Sequence, residues 1–137
     1  MDRSFFPKPF FLIGLLVLLA GCSLSPEEKV AREQALKQTV DSFSAAVLQG
    51  NWTEAFRWTD GSIPGGDQLK QQITQSWVQD GTLTNAQVSS MAWVNDGTAK
   101  VKLTWTFQSG SVESFSNETF LWTWNGNGWK YRGRALR

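Results

Sequence analysis

The most informative segment for the fold is FSAAVLQGNWTEAFRWTD, residues 43–60. Its first part places Phe43 and Val47 four residues apart, which is the spacing of one face of a helix. Gly50 can adopt the left-handed backbone conformation that ends a helix. Asn51, followed three residues later by Glu54, can cap the start of the next helix. The stretch therefore predicts a long helix, a sharp turn and a short second helix. The side chains expected to point inwards from the second helix are Trp52, Ala55, Phe56 and Trp58.

Upstream, the start of the long helix is marked by Ser25, Pro26 and Glu28. Serine followed three residues later by glutamate is a capping box, and proline suits the first helical position. Apolar residues then recur at steps of three and four once alanines are included, which predicts one buried face. The residues of that predicted stripe are Val30, Leu36, Val40, Phe43 and Val47.

Downstream, the loop DGSIPGGD (60–67) is rich in turn-forming residues. Asp67 is the predicted cap of a third helix, in which Leu69, Ile73 and Trp77 form a stripe that Gly81 ends.

From about Thr82 the apolar period becomes two, and Val, Thr, Trp and Phe predominate, as in strands. AQVSSMAWV (86–94), NDG (95–97) and TAKVKLTWTF (98–107) predict a hairpin, and VESFSNETFLWTW (112–124), NGNG (125–128) and WKYRGRAL (129–136) predict a second. One face should carry Val101, Leu103, Trp105 and Phe107, joined by Phe120, Trp122 and Trp124. The predicted fold class is α+β, with three N-terminal helices packed on a curved antiparallel sheet of at least four strands.

This arrangement resembles the nuclear-transport-factor-2-like superfamily, whose α+β domain is cone-shaped. The resemblance runs from about Val30 to Leu136. It is carried by residues 43–60, which are similar to the superfamily's passage between its first two helices, and by WNGNGWKYRGRAL (124–136), which is similar to its last hairpin. It implies a ligand position inside the cone, but a fold alone does not give a function.

The N-terminal segment carries a pattern that is independent of the fold. Arg3 and Lys8 precede the apolar run Phe10–Ala20, which is too short to span a bilayer and is typical of a secretory signal. Leu19-Ala20-Gly21-Cys22 resembles the lipobox of bacterial lipoproteins, which implies cleavage before Cys22 and acylation of that cysteine. The predicted organisation is a signal peptide (1–21), an acylated cysteine with a very short tether (22–25) and a single α+β domain (26–137).

Acyl chains give stable membrane anchoring when two or more are attached. The resemblance therefore implies a location in the cell envelope. Because Ser23 is not the aspartate that retains enterobacterial lipoproteins at the inner membrane, the periplasmic face of the outer membrane is favoured if the cell is Gram-negative.

Composition excludes several classes of function. The leader takes two of the 13 basic and one of the 12 acidic residues, so the mature chain is balanced in charge, which argues against nucleic-acid binding. The sequence has no histidine and a single cysteine, and it shows no zinc spacing, phosphate loop or nucleophile triad. No metal, no cofactor and no catalytic set is predicted; Asp41 and Glu118 come nearest to an isolated carboxylate and are interpreted as solvated charges.

Eight tryptophans in one domain can either fill the core or line a pocket for an apolar ligand. The residues chosen to test for a pocket are Trp77, Trp105, Trp122, Trp124 and Tyr131. Alternation on the last strand places Lys130, Arg132 and Arg134 on one face, which is either a solvated surface or a contact for an anionic group.

Three functional hypotheses follow. The first is a membrane-anchored, non-enzymatic module that binds a small apolar ligand or an envelope protein. The second is a structural or assembly lipoprotein that acts as a homodimer. The third, an isomerase- or hydratase-like enzyme, would require a buried carboxylate at the floor of the cone.

Overall fold

The computed structural model describes residues 24–75, 77 and 81–135. Cys22 and the apolar leader lie outside these residues. The chain divides into two compact units, Met1–Ala31 and Arg32–Arg137. Within the described ranges, no helix has both the length and the apolar character needed to cross a membrane.

In the first unit, helix α1 (Pro26–Leu48) begins as the sequence predicts. The Ser25 hydroxyl accepts the backbone N–H of Glu28 at 3.2 Å, and a Glu28 carboxylate oxygen accepts the N–H of Ser25 at 3.1 Å. This reciprocal pair is a capping box. The prediction that Val30 is buried is wrong, since 56% of it is exposed. Spacing shows which side chains share a helix face but not where along the helix burial begins.

In the second unit, the remainder of α1 buries Leu36, Val40, Phe43 and Val47, as predicted. The helix ends in a Schellman motif: the N–H of Gly50 donates to Val47 O at 2.9 Å, and the N–H of Asn51 donates to Ala46 O at 2.8 Å. Gly50 has φ +72°, a value that glycine adopts without a steric penalty. The turn predicted from residues 43–60 is therefore confirmed.

Helix α2 (Trp52–Phe56) is capped by Asn51, whose side-chain oxygen accepts the N–H of Glu54 at 3.1 Å. Helix α3 (Gly66–Thr74) starts differently from the prediction. Its N-cap is Gly65, and Asp67 lies within the first turn. There its negative charge interacts favourably with the positive end of the helix dipole. Leu69 and Ile73 are buried as predicted, but the helix ends before Trp77.

The four strands are β1 (Thr82–Asn95), β2 (Thr98–Ser109), β3 (Val112–Trp124) and β4 (Trp129–Arg134). They form one antiparallel sheet in the order of the sequence. The edge strand β1 has three register shifts against β2, which bend a strand and increase its twist. These observations confirm the predicted α+β class with helices followed by an antiparallel sheet.

Alternation predicts the inner face of β2 correctly. Val101, Leu103, Trp105 and Phe107 are all buried, and β3 adds Phe120 and Trp122. From α1, Phe43 packs edge-on against Trp122 and stacks on Tyr131, with ring centroids 5.2 Å apart in each pair. The helices therefore cover this face of the sheet.

Strand β4 contains a bulge that overturns the prediction of one basic face. Phe120 pairs with Arg134 and Leu121 with Gly133, but Trp122 pairs with Tyr131, so Arg132 is left over. Gly133 has φ +140°, a conformation that side chains resist. Because the extra residue reverses the alternation, Arg134 lies opposite the buried Phe120, on the other face of the sheet from Lys130.

Candidate ligand-binding groove

The cone interior is filled by core side chains. Trp105, Trp122 and Tyr131, three of the residues chosen to test for a pocket, are each 0% exposed. Trp77 is half-buried, and its ring lies 5.4 Å from that of Trp105 and 5.2 Å from that of Phe107. These four residues pack into or against the core. They therefore do not line an open pocket, as the sequence had predicted for them.

Tyr131 is the titratable group most affected by this packing. Its hydroxyl donates a hydrogen bond to Oε1 of Gln72 on α3. Burial raises the pKa of Tyr131 far above its usual range, the positive charge of Arg134 lowers it, and the negative charge of Glu118 raises it further. The phenol therefore stays protonated at any physiological pH and acts as a donor.

Glu118 lies on the same face of β3 as Phe120 and forms an ion pair with Arg134. Arg134 also donates to Oε1 of Gln75 at 3.0 Å. The Glu118 side chain is 19% exposed, so this carboxylate is more buried than the sequence interpretation held. Asp41 is exposed, as expected for a solvated helix face.

A separate groove lies between α1, the residues that follow α2, and the β3–β4 turn. We call it the tryptophan groove; its volume is about 440 Å³, within the usual range for small-molecule sites. Its lining residues are Ala35, Gln38, Thr39, Trp58, Trp124, Asn125, Asn127, Gly128, Trp129 and Lys130. Of the residues selected from the sequence, only Trp124 and Lys130 belong to it.

One wall of the groove is the β3–β4 turn. Oδ1 of Asn125 accepts the backbone N–H groups of Asn127 and Gly128, both at 2.9 Å. The N–H of Asn125 donates to Gly128 O at 3.0 Å. These bonds hold the turn in one conformation, which fixes the two tryptophans at its ends.

Those tryptophans are held from α1 through Arg32. The indole N–H of Trp129 donates to Arg32 O at 2.9 Å, while the Arg32 guanidinium lies 4.6 Å from the ring centroid of Trp124. The rings of Trp124 and Trp129 meet edge to face at 5.6 Å. An Arg32 N–H also donates to Asp96 O at 2.9 Å, so the cation is engaged on two sides.

The opposite wall is formed by Trp58. The backbone of the segment after α2 pairs with β4, since the N–H of Tyr131 donates to Trp58 O at 2.6 Å and the N–H of Asp60 donates to Tyr131 O at 3.0 Å. Lys130 Nζ lies 5.7 Å from the Trp58 ring centroid and donates to Arg57 O at 3.3 Å. Trp58 and Lys130 also line a smaller recess of about 130 Å³ beside the groove, with Glu54 and Arg57.

Several hydrogen-bonding groups of the groove have no partner among the described residues. The side chains of Gln38, Thr39 and Asn127 make no hydrogen bond to the part of the chain that the structure describes. The indole N–H of Trp58 is buried and also has no partner among the described residues. No carboxylate is among the lining residues.

The sequence interpretation missed this site because its residues come from three distant segments. Two signals were present: Trp58 follows the short helix by two residues, and the turn NGNG separates two tryptophans. Neither indicates that the segments meet. A second, more open concavity of about 510 Å³ is lined only by polar residues of α3 and its C-cap, Gln68, Gln71, Gln72, Thr74 and Gln75. Within the described ranges, no cluster of acidic, histidine or cysteine side chains could hold a metal ion.

Comparison with known proteins supports the anchor and the fold. Residues 8–23 match the model of the prokaryotic membrane lipoprotein lipid attachment site, a segment that contains Cys22. No curated protein matches the chain.

Two solved structures are similar in fold. One is an NTF-2-like protein of unknown function from Shewanella oneidensis MR-1, with a TM-score of 0.52 and 12% identity over 72% of this chain and 93% of that one. The other is a domain of unknown function with a cystatin-like fold from Nostoc punctiforme PCC 73102, with a TM-score of 0.54 and 17% identity over 78% of this chain and 79% of that one. The chain thus combines a lipoprotein attachment site, which anchors it in the cell envelope, with a nuclear-transport-factor-2-like α+β fold.

Proposed function

We propose that this protein is a non-enzymatic, lipid-anchored binding module and that its ligand occupies the tryptophan groove. The observation that carries the proposal is the contrast between the two aromatic regions. The cone interior is filled by its own side chains, whereas the groove combines tryptophan rings with amide, hydroxyl and ammonium groups. A few polar groups placed among aromatic walls are typical of small-molecule sites.

The chemistry of the polar residues supports binding over catalysis. A general base must be able to accept a proton near the working pH. The Tyr131 phenol stays protonated and donates to Gln72, and the Glu118 carboxylate is paired with Arg134. The groove itself contains amides, a hydroxyl and one lysine, which bind and orient a ligand.

The proposal includes a location at the periplasmic face of an outer membrane. It rests on Ser23, which occupies the position next to the acylated cysteine. Fractionation of the native cells by density should place the protein with outer-membrane markers. Recovery with the inner membrane would contradict this part of the proposal.

Gly128 provides the decisive test of the groove. It lines the groove, its backbone is not left-handed, and an added Cβ would meet no atom within 4 Å. Gly128→Leu should therefore fill the groove without disturbing the fold. The matched control is Ser111→Leu, which adds the same side chain in the exposed β2–β3 turn.

The acylated protein is purified from its own cells in mild detergent and its native mass spectrum is recorded. A reproducible small-molecule adduct should appear in the wild-type chain and the Ser111→Leu control and disappear in Gly128→Leu. An adduct that survives in Gly128→Leu, or no adduct in any of the three proteins, would contradict ligand binding in the groove.

A structural role as a homodimer through the sheet is the second candidate. It is favoured by Phe115, which pairs with Thr106 on the sheet face turned away from the core and is 56% exposed. The same spectra report the oligomeric state. A dimer that Phe115→Ser dissociates, without any adduct, would favour this role over ligand binding.

A further inference from the structure

From the tryptophan groove we infer the class of its ligand: an acidic saccharide, meaning a sugar ring that carries a carboxylate. This inference rests on the proposed function, because it names the ligand of the same site. It depends on three properties of the lining, which are its aromatic surface, its neutral hydrogen-bonding groups and its charge.

The aromatic surface comes from Trp58 and Trp124, both half-buried, with Trp129 behind them. A sugar ring has an apolar face of C–H groups that packs flat against an indole ring, while its hydroxyls project from the edge. Indole rings bury a large area at a small entropy cost, since the side chain has few rotatable bonds. The groove therefore suits a rigid ring with one apolar face.

The neutral polar groups fit the edge of such a ring. Each carboxamide supplies two donors and an acceptor, and a hydroxyl supplies both functions, as sugar hydroxyls also do. The side chains of Gln38, Thr39 and Asn127 make no hydrogen bond to the described part of the protein, so they can engage a ligand without breaking a bond to those residues. Burying these groups against a purely apolar ligand would leave them without partners, which is unfavourable. A ring with hydroxyl groups at its edge therefore suits this lining better than an acyl chain does.

The charge of the lining indicates an acid. Lys130 is the charged residue among the lining side chains, and none of them is a carboxylate. Its ammonium uses one donor on Arg57 O at 3.3 Å, and an ammonium has three. A ligand carboxylate placed beside the Lys130 ammonium would meet the remaining donors, and a charge-assisted hydrogen bond is about twice as strong as a neutral one.

The test uses the acylated protein in detergent micelles and three sugars: glucuronic acid, N-acetylmuramic acid and glucose. Glucuronic acid differs from glucose only in the oxidation of one carbon to a carboxylate. The two acids stand for the two sources of acidic sugars in an envelope, which are uronic-acid polysaccharides and the cell-wall glycan. Binding is followed by ligand-observed NMR, and near-ultraviolet circular dichroism verifies that each variant is folded.

Both acids should bind the wild-type chain, with glucose weaker by about tenfold, the factor expected for one charge-assisted bond. Lys130→Gln should reduce the affinity for the acids to that for glucose, and Gly128→Leu should abolish binding of all three. The acid that binds more tightly identifies the source.

The failures are distinguishable. If neither acid binds while the native adduct is present and is lost in Gly128→Leu, the ligand class is wrong and the binding function stands. If glucose binds as tightly as the acids and Lys130→Gln changes nothing, the assignment of an acid is wrong. If the sugars bind Gly128→Leu as well as the wild-type chain, they bind elsewhere and the inference is overturned.

Discussion

Replacing Tyr131 with phenylalanine should reverse its effect on stability between neutral and alkaline pH. The Tyr131 hydroxyl is buried and donates to Gln72. Losing one such hydrogen bond costs about 1 kcal/mol of unfolding free energy. At neutral pH, Tyr131→Phe should therefore be less stable than the wild-type chain by about that amount.

At high pH a second effect opposes the first. In the unfolded chain the phenol has its ordinary pKa of about 10, whereas burial raises the pKa in the folded state. Above about pH 10 the unfolded state therefore binds fewer protons than the folded state, and the unfolding free energy falls with rising pH. For one ionising group, the decrease in unfolding free energy approaches about 1.4 kcal/mol per pH unit. Phenylalanine does not ionise, so the two stability curves should cross at about pH 10.7.

The chain offers a direct assay because Tyr131 is its single tyrosine. Urea unfolding at a series of pH values, followed by tryptophan fluorescence, gives the two stability curves. Tyrosinate absorbance should appear near pH 10 only when the chain is unfolded in urea, where the phenol has its ordinary pKa of about 10. Tyrosinate forming near that pH in the folded protein, or curves that stay parallel up to alkaline unfolding, would refute the reasoning.

Three further predictions concern the core, the ion pair and the anchor. Phe43→Leu should lower the unfolding free energy by about 1–3 kcal/mol because it loses ring contacts in the core, whereas Val30→Ala in the same helix should change it by less than about 0.5 kcal/mol; equal effects would contradict the assigned burial. Glu118→Gln should cost about 1–3 kcal/mol, since the pair with its arginine is largely buried, and Glu54→Gln, in an exposed pair, about 0–0.5 kcal/mol; urea unfolding separates the two. Cys22→Ser should abolish incorporation of radiolabelled palmitate into the protein, and label that persists in the variant would argue against acylation at this residue.

The filled cone explains why the many aromatic residues of the sequence did not indicate the tryptophan groove. Alternation correctly places Trp105 and Trp122 on the inner face of the sheet. It cannot, however, distinguish a ring that lines a cavity from a ring that fills it. Whether space remains depends on the side chains that α1 and α3 bring against the sheet. Here Phe43 fills the space beside Trp122 and Tyr131.

The features that could be predicted from the residues alone are local. The capping box at Ser25, the Schellman turn at Gly50 and the inner face of β2 each depend on residues a few positions apart, so spacing predicts them. The attachment site around Cys22 is likewise a short contiguous segment.

The register of β4 and the tryptophan groove depend on contacts between distant segments. The bulge at Arg132 reversed the alternation of β4 and separated Arg134 from Lys130, because strand pairing and not residue type sets the register. The tryptophan groove exists because the pairing of the Trp58 segment with Tyr131, and the bond from Trp129 to Arg32, bring three parts of the chain together. Such contacts have no periodicity of their own, so the sequence showed which tryptophans are present and the fold decided which of them line the groove.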